Sequence, residues 1–307
     1  GRLSFTLLKT AYALASLVGT FFMFRLGKEL IDRWAGLIAA GLFGVAFWQI
    51  LQTRAVLGAG LTLPILIPAV YYLLRGLRHE YNNDILIAAL LGGLGLLTNK
   101  VFLIFPFVVL VVLIIWLLHS KQKSNLSVFF SMIALFLLVG AVTAVPILRA
   151  FTLNPQEYLR PILSRVSSLE TPLPGSPLGL FFKNLLGALG MVNWSNRSSW
   201  VDGIPLRPAV DWFTAALFIL GIIIVLVEYH KRKDWSLLAL VVLYPVLLLL
   251  SALSLAFPAE NPSLSRALGA ALPVFMLAAL GLYTLGKAIL AALRTKRPLS
   301  RVLLVGI

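Results

Sequence analysis

The sequence predicts an all-α polytopic membrane protein, and three observations support this fold class. First, 60% of the 307 residues are hydrophobic and only 12% are charged, which gives a mean hydropathy of +0.96. Second, apolar runs recur along the whole chain, and about 20 residues of helix cross the hydrocarbon core of a bilayer. Third, the runs are continuous rather than alternating, which favours spanning helices over a β-barrel.

The apolar runs predict nine spanning helices and the start of a tenth near Val302. Residues 1–307 then form one transmembrane domain, with a long external loop at 148–209. The chain opens without an initiator Met or a signal-peptide pattern and closes inside an apolar run, so we expect it to be truncated at both ends. The nine complete runs are 7–24, 35–50, 61–74, 85–97, 101–118, 126–147, 213–227, 235–257 and 266–289.

A single lysine interrupts the longest apolar stretch. Between residues 85 and 118, Lys100 is the only charged residue. A straight helix of this length would measure about 50 Å, whereas the hydrocarbon core is about 30 Å thick. Basic residues mark the cytoplasmic side, and they flank the stretch at both ends. We therefore expect the chain to turn at 98–100, with Lys100 on the external side. The flanking residues are Arg75, Arg78, Lys121 and Lys123.

The other connections agree with this topology. Most of the 26 Lys and Arg residues lie in short connections on the side of those flanks, which is the pattern of a cytoplasmic face. On the external side, Ser176 as N-cap and Pro177 at the first helical position predict a helix lying in the interface. Residues 159–166 carry apolar side chains on one face and predict a second. Asp211 should cap the span that follows.

Two basic residues near span ends are candidates for binding an anion such as a lipid phosphate. A charge at bilayer depth is costly and often marks function, which makes Lys100 the first candidate. The alternative is a lysine that extends from a span end to the interface. Arg54 follows a span that ends on the same side, close to Gly58 and Gly60, which allow a backbone to approach. Its alternative is an ordinary arginine at the membrane edge.

Arg266 is the third basic candidate. The segment "AENPSLSR" suggests an external helix start with Asn261 as N-cap and Pro262 at the first helical position. Free backbone N–H groups and the positive end of the helix dipole would then combine with Arg266 into an anion site. The alternative is an interfacial arginine paired with Glu260.

Trp194 and Asp202, in the external loop, are candidate contacts for a sugar or an acceptor. The tryptophan could stack on a sugar ring, or it could anchor the loop at the interface. The aspartate could bind a sugar or a metal, or it could be a solvated loop residue. Asn193 and Asn196 each begin an N-glycosylation sequon. No cofactor is evident, and the three histidines are too scattered to support a divalent metal: His79, His119 and His230.

Several function classes are disfavoured by composition and motifs. No phosphate-binding loop, dinucleotide fingerprint or nucleophile elbow occurs, so ATP-driven transport and soluble-type hydrolysis have no support. The absence of cysteine excludes disulfides and thiolate metal sites. The net charge of +15 does not indicate nucleic acid, because no soluble domain is predicted to bind it. The partner that we expect for this protein is therefore the lipid bilayer.

The order of several motifs resembles the membrane core of GT-C glycosyltransferases, and most closely the protein mannosyltransferase and aminoarabinose transferase group. The motifs are "FRLGKELIDRWAGLIAAGLFGVAFWQILQTRAVLGAG", "LLGGLGLLTNK", "NWSNRSSWVDGIPLRPAVDWFTAALFILG" and "NPSLSRALGAALPVFMLAALGLY". The resemblance implies transfer of a sugar from a polyprenyl phosphate to a hydroxyl of a protein, lipid or glycan on the external face. Lys100 matches the family's lysine after a short helix, and Arg266 its late external arginine.

The resemblance also implies a catalytic carboxylate in a first external loop, and "GRLSFT" at residues 1–6 contains no acid. We therefore expect the catalytic base upstream of Gly1. The membrane would be the plasma membrane in a prokaryote and the endoplasmic reticulum in a eukaryote. Two other function classes stay open: a secondary transporter or lipid flippase, and a polymerase or ligase for lipid-linked glycans. Transporters usually show paired inverted repeats, and no repeat is evident in the sequence.

Overall fold

The computed structural model describes residues 4–54, 58–120, 125–196 and 203–295. Throughout these ranges the regular structure is helical, with short 3₁₀ turns and no strands. The α-helices are α1 (Phe5–Leu30), α2 (Arg33–Gly44), α3 (Phe47–Arg54), α4 (Thr62–His79), α5 (Asn82–Thr98), α6 (Phe105–His119), α7 (Asn125–Leu153), α8 (Pro155–Val166), α9 (Pro177–Gly190), α10 (Trp212–Arg232), α11 (Trp235–Ala252) and α12 (Ala271–Thr295).

Long apolar helices confirm the predicted class of all-α polytopic membrane protein. Seven segments of the described chain are long and apolar enough to cross a bilayer. The predicted span 35–50 is a bent pair, because α2 and α3 meet at 53°, and counting the pair as one span gives up to eight. The predicted partial span 85–97 is the shorter helix α5. The tenth predicted span lies outside the described residues.

Helices α4 and α12 form the centre of the bundle, whereas α1 and α7 lie at its periphery. Helix α12 packs against α2, α10 and α11, and α4 packs against α1 and α5. Large side chains fill the space between them, including Trp48, Tyr71 and Phe275, each almost fully buried. The rings of Phe43 and Phe275 meet edge to face with centroids 5.8 Å apart, an arrangement that aromatic pairs favour. The core therefore joins the first and last thirds of the chain.

Helices α10 and α12 cross at two glycines. A Cβ on Gly221 would meet the main chain of Leu277, whose Cα would be 3.1 Å away, and a Cβ on Gly281 would meet the main chain of Leu217. Backbone atoms cannot move aside as a side chain can. Small residues of this kind let membrane helices approach closely.

Replacing Gly221 with alanine is expected to destabilise the protein by about 2 kcal/mol, because the added methyl overpacks a helix crossing that cannot relax. Thermal unfolding in detergent measures the change. Gly286 on α12 is the matched control, since a Cβ there meets nothing within 4 Å. Gly286→Ala should leave stability unchanged or raise it by about 0.5 kcal/mol. Equal effects of the two substitutions would contradict the close crossing.

A buried ion pair ties the first helices together. Arg75 Nε and Nη2 donate to the two carboxylate oxygens of Asp84 at 2.5 and 2.6 Å. The hydroxyl of Tyr71 accepts hydrogen bonds from Arg75 at 2.8 Å and from Arg25 at 2.9 Å. Asp84 is only 4% exposed. This bidentate geometry is the strongest form of an arginine–carboxylate contact, and it links α1, α4 and α5.

The spanning helices alternate in direction, so the bundle has two distinct ends. Helix α4 ends at His79, α5 returns to Thr98, and α6 runs back to His119. Side chains from α4, α6 and the connection between α10 and α11 line one cavity at the end of His79 and His119, which we call the far end. Lys100 lies at the opposite end, as the sequence predicts.

Candidate anion-binding site

A cleft of about 450 Å³ opens at the end of the bundle where α5 turns into α6. It brings together two of the predicted residues, Lys100 and Arg266, and adds Arg165 from α8. Its described lining contains no acidic residue. The other lining residues are Ala59, Asn99, Val101, Leu103, Ile162, Val166, Leu250, Leu253, Ser254 and Ser265.

The turn before α6 places Lys100 at the cleft. Asn99 has an extended backbone, and its side-chain oxygen accepts a hydrogen bond from Val101 N at 2.9 Å. The rings of Phe102 and Phe105 lie where Cβ atoms of Gly95 and Gly92 would be. A continuous helix would place residues 92 and 105 about 20 Å apart, so this contact confirms the predicted turn. The Lys100 side chain is exposed, and no hydrogen bond or ion pair joins it to another described residue.

The predicted helix start at Asn261 is wrong. Asn261 is extended, and α12 begins only at Ala271. The side chain of Asn261 is 4% exposed and bonds to distant groups instead of capping a helix. Its Oδ1 accepts from Ser251 Oγ at 2.6 Å, and its Nδ2 donates to the main-chain oxygen of Asn184 at 2.7 Å. The proposed anion site at a helix N-terminus is therefore not formed.

A buried polar network holds the segment that carries Arg266. Asn184 Nδ2 donates to the main-chain oxygens of Ala252 and Ser254, each at 3.1 Å, and Ser263 N donates to Ser251 Oγ at 3.0 Å. Trp48 Nε1 donates to Leu264 O at 2.9 Å. Because buried polar groups that are fully bonded rigidify their surroundings, this network fixes the irregular chain before α12. Asn184 and Ser251 were not singled out from the sequence.

Glu260 joins two arginines from separate elements. Its Oε2 accepts from Arg165 Nη1 at 2.5 Å and from both terminal nitrogens of Arg266 at 3.2 Å. Arg266 Nη2 also donates to the main-chain oxygen of Glu260 at 3.0 Å. Partial burial favours the protonated form, but Arg165 and then Arg266 outweigh it and hold the pKa of Glu260 below its usual value. Pairing of Arg266 with Glu260 was the alternative considered from the sequence.

Arg165 is the cleft residue that the sequence did not reveal. Besides Glu260, it contacts Phe257, with its guanidinium carbon 4.5 Å from the ring centroid. Its main-chain oxygen accepts from Ala256 N at 3.0 Å. The one available signal was its position on α8 between Ile162 and Val166, which line the same cleft. Arg165 therefore anchors α8 to the chain between α11 and α12.

Replacing Arg165 with alanine is expected to weaken the attachment of α8 to the chain between α11 and α12. The backbone amides of α8 should then exchange hydrogen about tenfold faster. The reason is the loss of the Glu260 ion pair and the Phe257 contact, which together limit local opening. Mass spectrometry of exchanged protein measures this rate. Arg160→Ala is the matched control on the same helix. The Arg160 side chain is 70% exposed, and its one ion pair among the described residues is a long contact of 3.4 Å from Nε to Glu170 Oε1. Similar acceleration in both variants would contradict an anchoring role.

The other predicted site residues lie outside this cleft. Arg54 ends α3 with an exposed side chain and does not line the cavity. Trp194 is 75% exposed and follows α9. Asp202 lies outside the described residues. In the part of the chain that the structure describes, no group of three or more His, Asp or Glu side chains could hold a metal ion.

The two local capping predictions, at Ser176 and Asp211, are confirmed. The Ser176 side chain caps α9 by accepting from Gly179 N, and Asp211 caps α10 by accepting from Thr214 N. Asn196, the start of one sequon, is 1% exposed. Its Nδ2 donates to the main-chain oxygens of Ile204 and Arg207. That amide is therefore closed to a glycosylating enzyme in the folded protein.

An apolar groove of about 510 Å³ lies beside the turn that carries Lys100. Helices α5, α6 and α7 form it. Phe105, whose ring packs on Gly92, lines it together with Pro106, Gly93 and Gly140. The absence of a Cβ at Gly93 admits the Thr143 side chain of α7 in the same way. Two of its lining residues, Leu96 and Phe105, lie close in sequence to the cleft residues Asn99–Leu103.

Comparison with known proteins identifies the fold. No protein-family model and no curated protein sequence matches the chain. Among solved structures, the apo oligosaccharyltransferase of Archaeoglobus fulgidus is similar, with 16% identity, a TM-score of 0.53, and coverage of 97% of this chain and 43% of that chain. The same organism's AglB, in complex with an inhibitory peptide and a dolichol-phosphate, gives 18% identity, a TM-score of 0.53 and the same coverage.

A third structure, of that oligosaccharyltransferase tethered to an acceptor peptide, gives 19% identity and a TM-score of 0.52. Over the matched part, the chain has the fold of these oligosaccharyltransferases. At these identities the similarity concerns the fold alone. The match covers nearly all of this chain, which spans less than half the length of the solved oligosaccharyltransferases. This result supports the GT-C class that the order of sequence motifs implied, but not the mannosyltransferase or aminoarabinose transferase type.

Proposed function

We propose that this protein is the membrane core of a glycosyltransferase that uses a sugar linked to a polyprenyl phosphate. The observation that carries the proposal is the cleft of Lys100, Arg165 and Arg266 beside an apolar groove. Glu260 offsets one of the three positive charges, which leaves two for an anion. A lipid phosphate in the cleft and its hydrocarbon chain in the groove would use both features.

The three cations have a defined role in the proposed reaction. An acceptor hydroxyl attacks the anomeric carbon, the bond from that carbon to the phosphate oxygen breaks, and the lipid phosphate leaves with the bonding electrons. Positive side chains held at the leaving phosphate stabilise the charge that develops there. A carboxylate must take the proton of the hydroxyl. The described cleft lining contains no acid that could serve as this base.

The sequence resemblance favours a protein mannosyltransferase or aminoarabinose transferase type, with a hydroxyl of a protein, lipid or glycan as acceptor on the external face. A solved structure of similar fold contains a dolichol-phosphate and a peptide, which supports a lipid-linked donor and a protein acceptor. Trp194 and Asp202, in the external loop, are the residues proposed to contact the sugar or the acceptor, and Arg54 is proposed as a further donor contact.

The test uses membranes that contain the complete gene product and a radiolabelled sugar on undecaprenyl or dolichyl phosphate. Transfer should release free polyprenyl phosphate and label an acceptor fraction. Movement of intact donor across sealed vesicles without release would support a flippase instead and would reject the transferase. Binding of the donor phosphate to the purified chain is measured separately, so that the binding result does not depend on transfer.

A further inference from the structure

A second polar cavity lies at the far end of the bundle, away from the proposed donor site. It measures about 480 Å³. Three parts of the chain converge on it: the end of α4, the end of α6, and the connection between α10 and α11. An adjoining cavity of about 490 Å³ shares Arg232 and Asp234 with it. The residues used below are Arg78, Glu80, His119, Ser120, Arg232 and Asp234, all of which line the first cavity.

Some acceptors in this cavity already have partners. Asp234 Oδ1 accepts from Ser236 N at 3.0 Å and from Ser236 Oγ at 2.6 Å, because Asp234 caps α11. The two ring nitrogens of His119 contact Ile115 O at 2.7 Å and the Tyr229 hydroxyl at 2.8 Å. Glu80 is exposed and sits in a left-handed turn with φ 59°. The acceptors without a partner among the described lining side chains therefore include the Glu80 carboxylate and Asp234 Oδ2.

Several hydrogen-bond donors that line the cavity have no partner among the described residues or use only one of their N–H groups. Ser120 Oγ is buried and has no hydrogen-bond partner in the described part of the chain. Arg78 uses Nη1 to bond Glu29 O at 2.9 Å, which leaves its other N–H groups. No hydrogen bond or ion pair joins the exposed guanidinium of Arg232 to another described residue. Two guanidinium groups and a hydroxyl form a donor set that suits phosphate oxygens.

The surroundings of the cavity place it at a membrane boundary. The candidate spans that reach His79, His119 and Arg232 end there, and the span from Trp235 begins there. Trp116 and Trp235 line the cavity, and tryptophan is enriched where spans meet the lipid head groups. A phosphate in this position would be carried by the head group of a lipid or by a soluble phosphate ester.

The geometry points to a phosphate-ester site at the far end, with Arg78, Arg232 and the Ser120 hydroxyl as its donors. A phospholipid head group and a soluble phosphate share this chemistry. The site is separate from the cleft of Lys100, and it holds whether or not the chain transfers a sugar.

The experiment compares Arg232→Gln with Lys231→Gln in the purified protein. Both variants remove one positive charge from neighbouring exposed residues, but only Arg232 lines the cavity. General attraction of a basic residue to an anionic surface affects both equally. Native mass spectrometry counts dioleoyl phosphatidylglycerol retained from mixed micelles. Arg232→Gln should weaken retention about tenfold, the loss of roughly one charge-assisted hydrogen bond, and Lys231→Gln less than twofold.

A second arm identifies the source of the phosphate. Displacement of the lipid by millimolar glycerol 3-phosphate or inorganic phosphate from the wild type assigns a soluble ester, and no displacement assigns a lipid head group. Ser120→Ala should weaken binding in either case. Equal loss of lipid retention in Arg232→Gln and Lys231→Gln would overturn the inference. It would also be overturned if the wild type and Arg232→Gln bound both the lipid and the soluble phosphate with the same affinity. Unchanged thermal unfolding of both variants ensures that folding is not the cause.

Discussion

Replacing Lys100 with alanine is expected to weaken polyprenyl-phosphate binding about tenfold and to bring sugar transfer to background. A hydrogen bond to a charged group contributes about 1.5–3 kcal/mol, and about 1.4 kcal/mol corresponds to tenfold in affinity. Transfer should fall further than binding, because losing one donor to a developing charge typically costs about 100-fold or more in rate. Binding is measured on the purified chain, and transfer in membranes with the complete gene product.

The matched control is Lys183→Ala. Lys183 is an exposed lysine on α9 that does not line the cleft, so its loss removes the same charge without the proposed contact. Membrane insertion and thermal unfolding should match the wild type in both variants. Full binding and transfer by Lys100→Ala, and by Arg266→Ala in the same assays, would reject the assigned phosphate site.

Replacing Arg75 with alanine is expected to lower the free energy of unfolding by about 3 kcal/mol, since it leaves Asp84 buried without its partner. Asp84 has a side chain only 5% exposed, and Arg75 donates to both of its oxygens. Tyr71 would also lose one of its two arginine donors. Thermal and urea unfolding in detergent measure the change.

A double variant separates the lost pair from lost packing. Arg75→Met combined with Asp84→Leu removes both charges, and replacing a buried ion pair by apolar residues of similar size is often nearly neutral. The double variant should therefore recover most of the stability that Arg75→Ala loses. If it is as unstable as the single variant, the shape of the site rather than the uncompensated carboxylate explains the effect.

Predictions that rest on chain length and local capping match the structure. The turn at Lys100 follows from a stretch too long for one span with basic residues at both flanks. Ser176 and Asp211 cap helices because a short side chain reaches the nearby N–H groups wherever the helix begins. Such signals need no knowledge of distant residues.

The surroundings of Arg266 could not be predicted in this way. Asn261 looks locally like an N-cap, but its side chain bonds to Asn184, 77 residues away, and this tertiary contact outweighs the local preference. Arg165 meets Glu260 across 95 residues. No spacing along the chain indicates such a pair. The bend between α2 and α3 likewise falls inside one uninterrupted apolar run.

If the cleft binds a lipid phosphate as proposed, Glu260 has a consequence for turnover. An empty site built from arginines alone would leave their charges facing one another after each anion departs, which would favour retention of the anion. Here a resident carboxylate already neutralises part of that charge, within 3.2 Å of both guanidinium groups. An arriving phosphate thus shares partners that are already oriented, and a departing one leaves them paired. The arrangement resembles an ion exchanger, in which release is nearly as easy as capture.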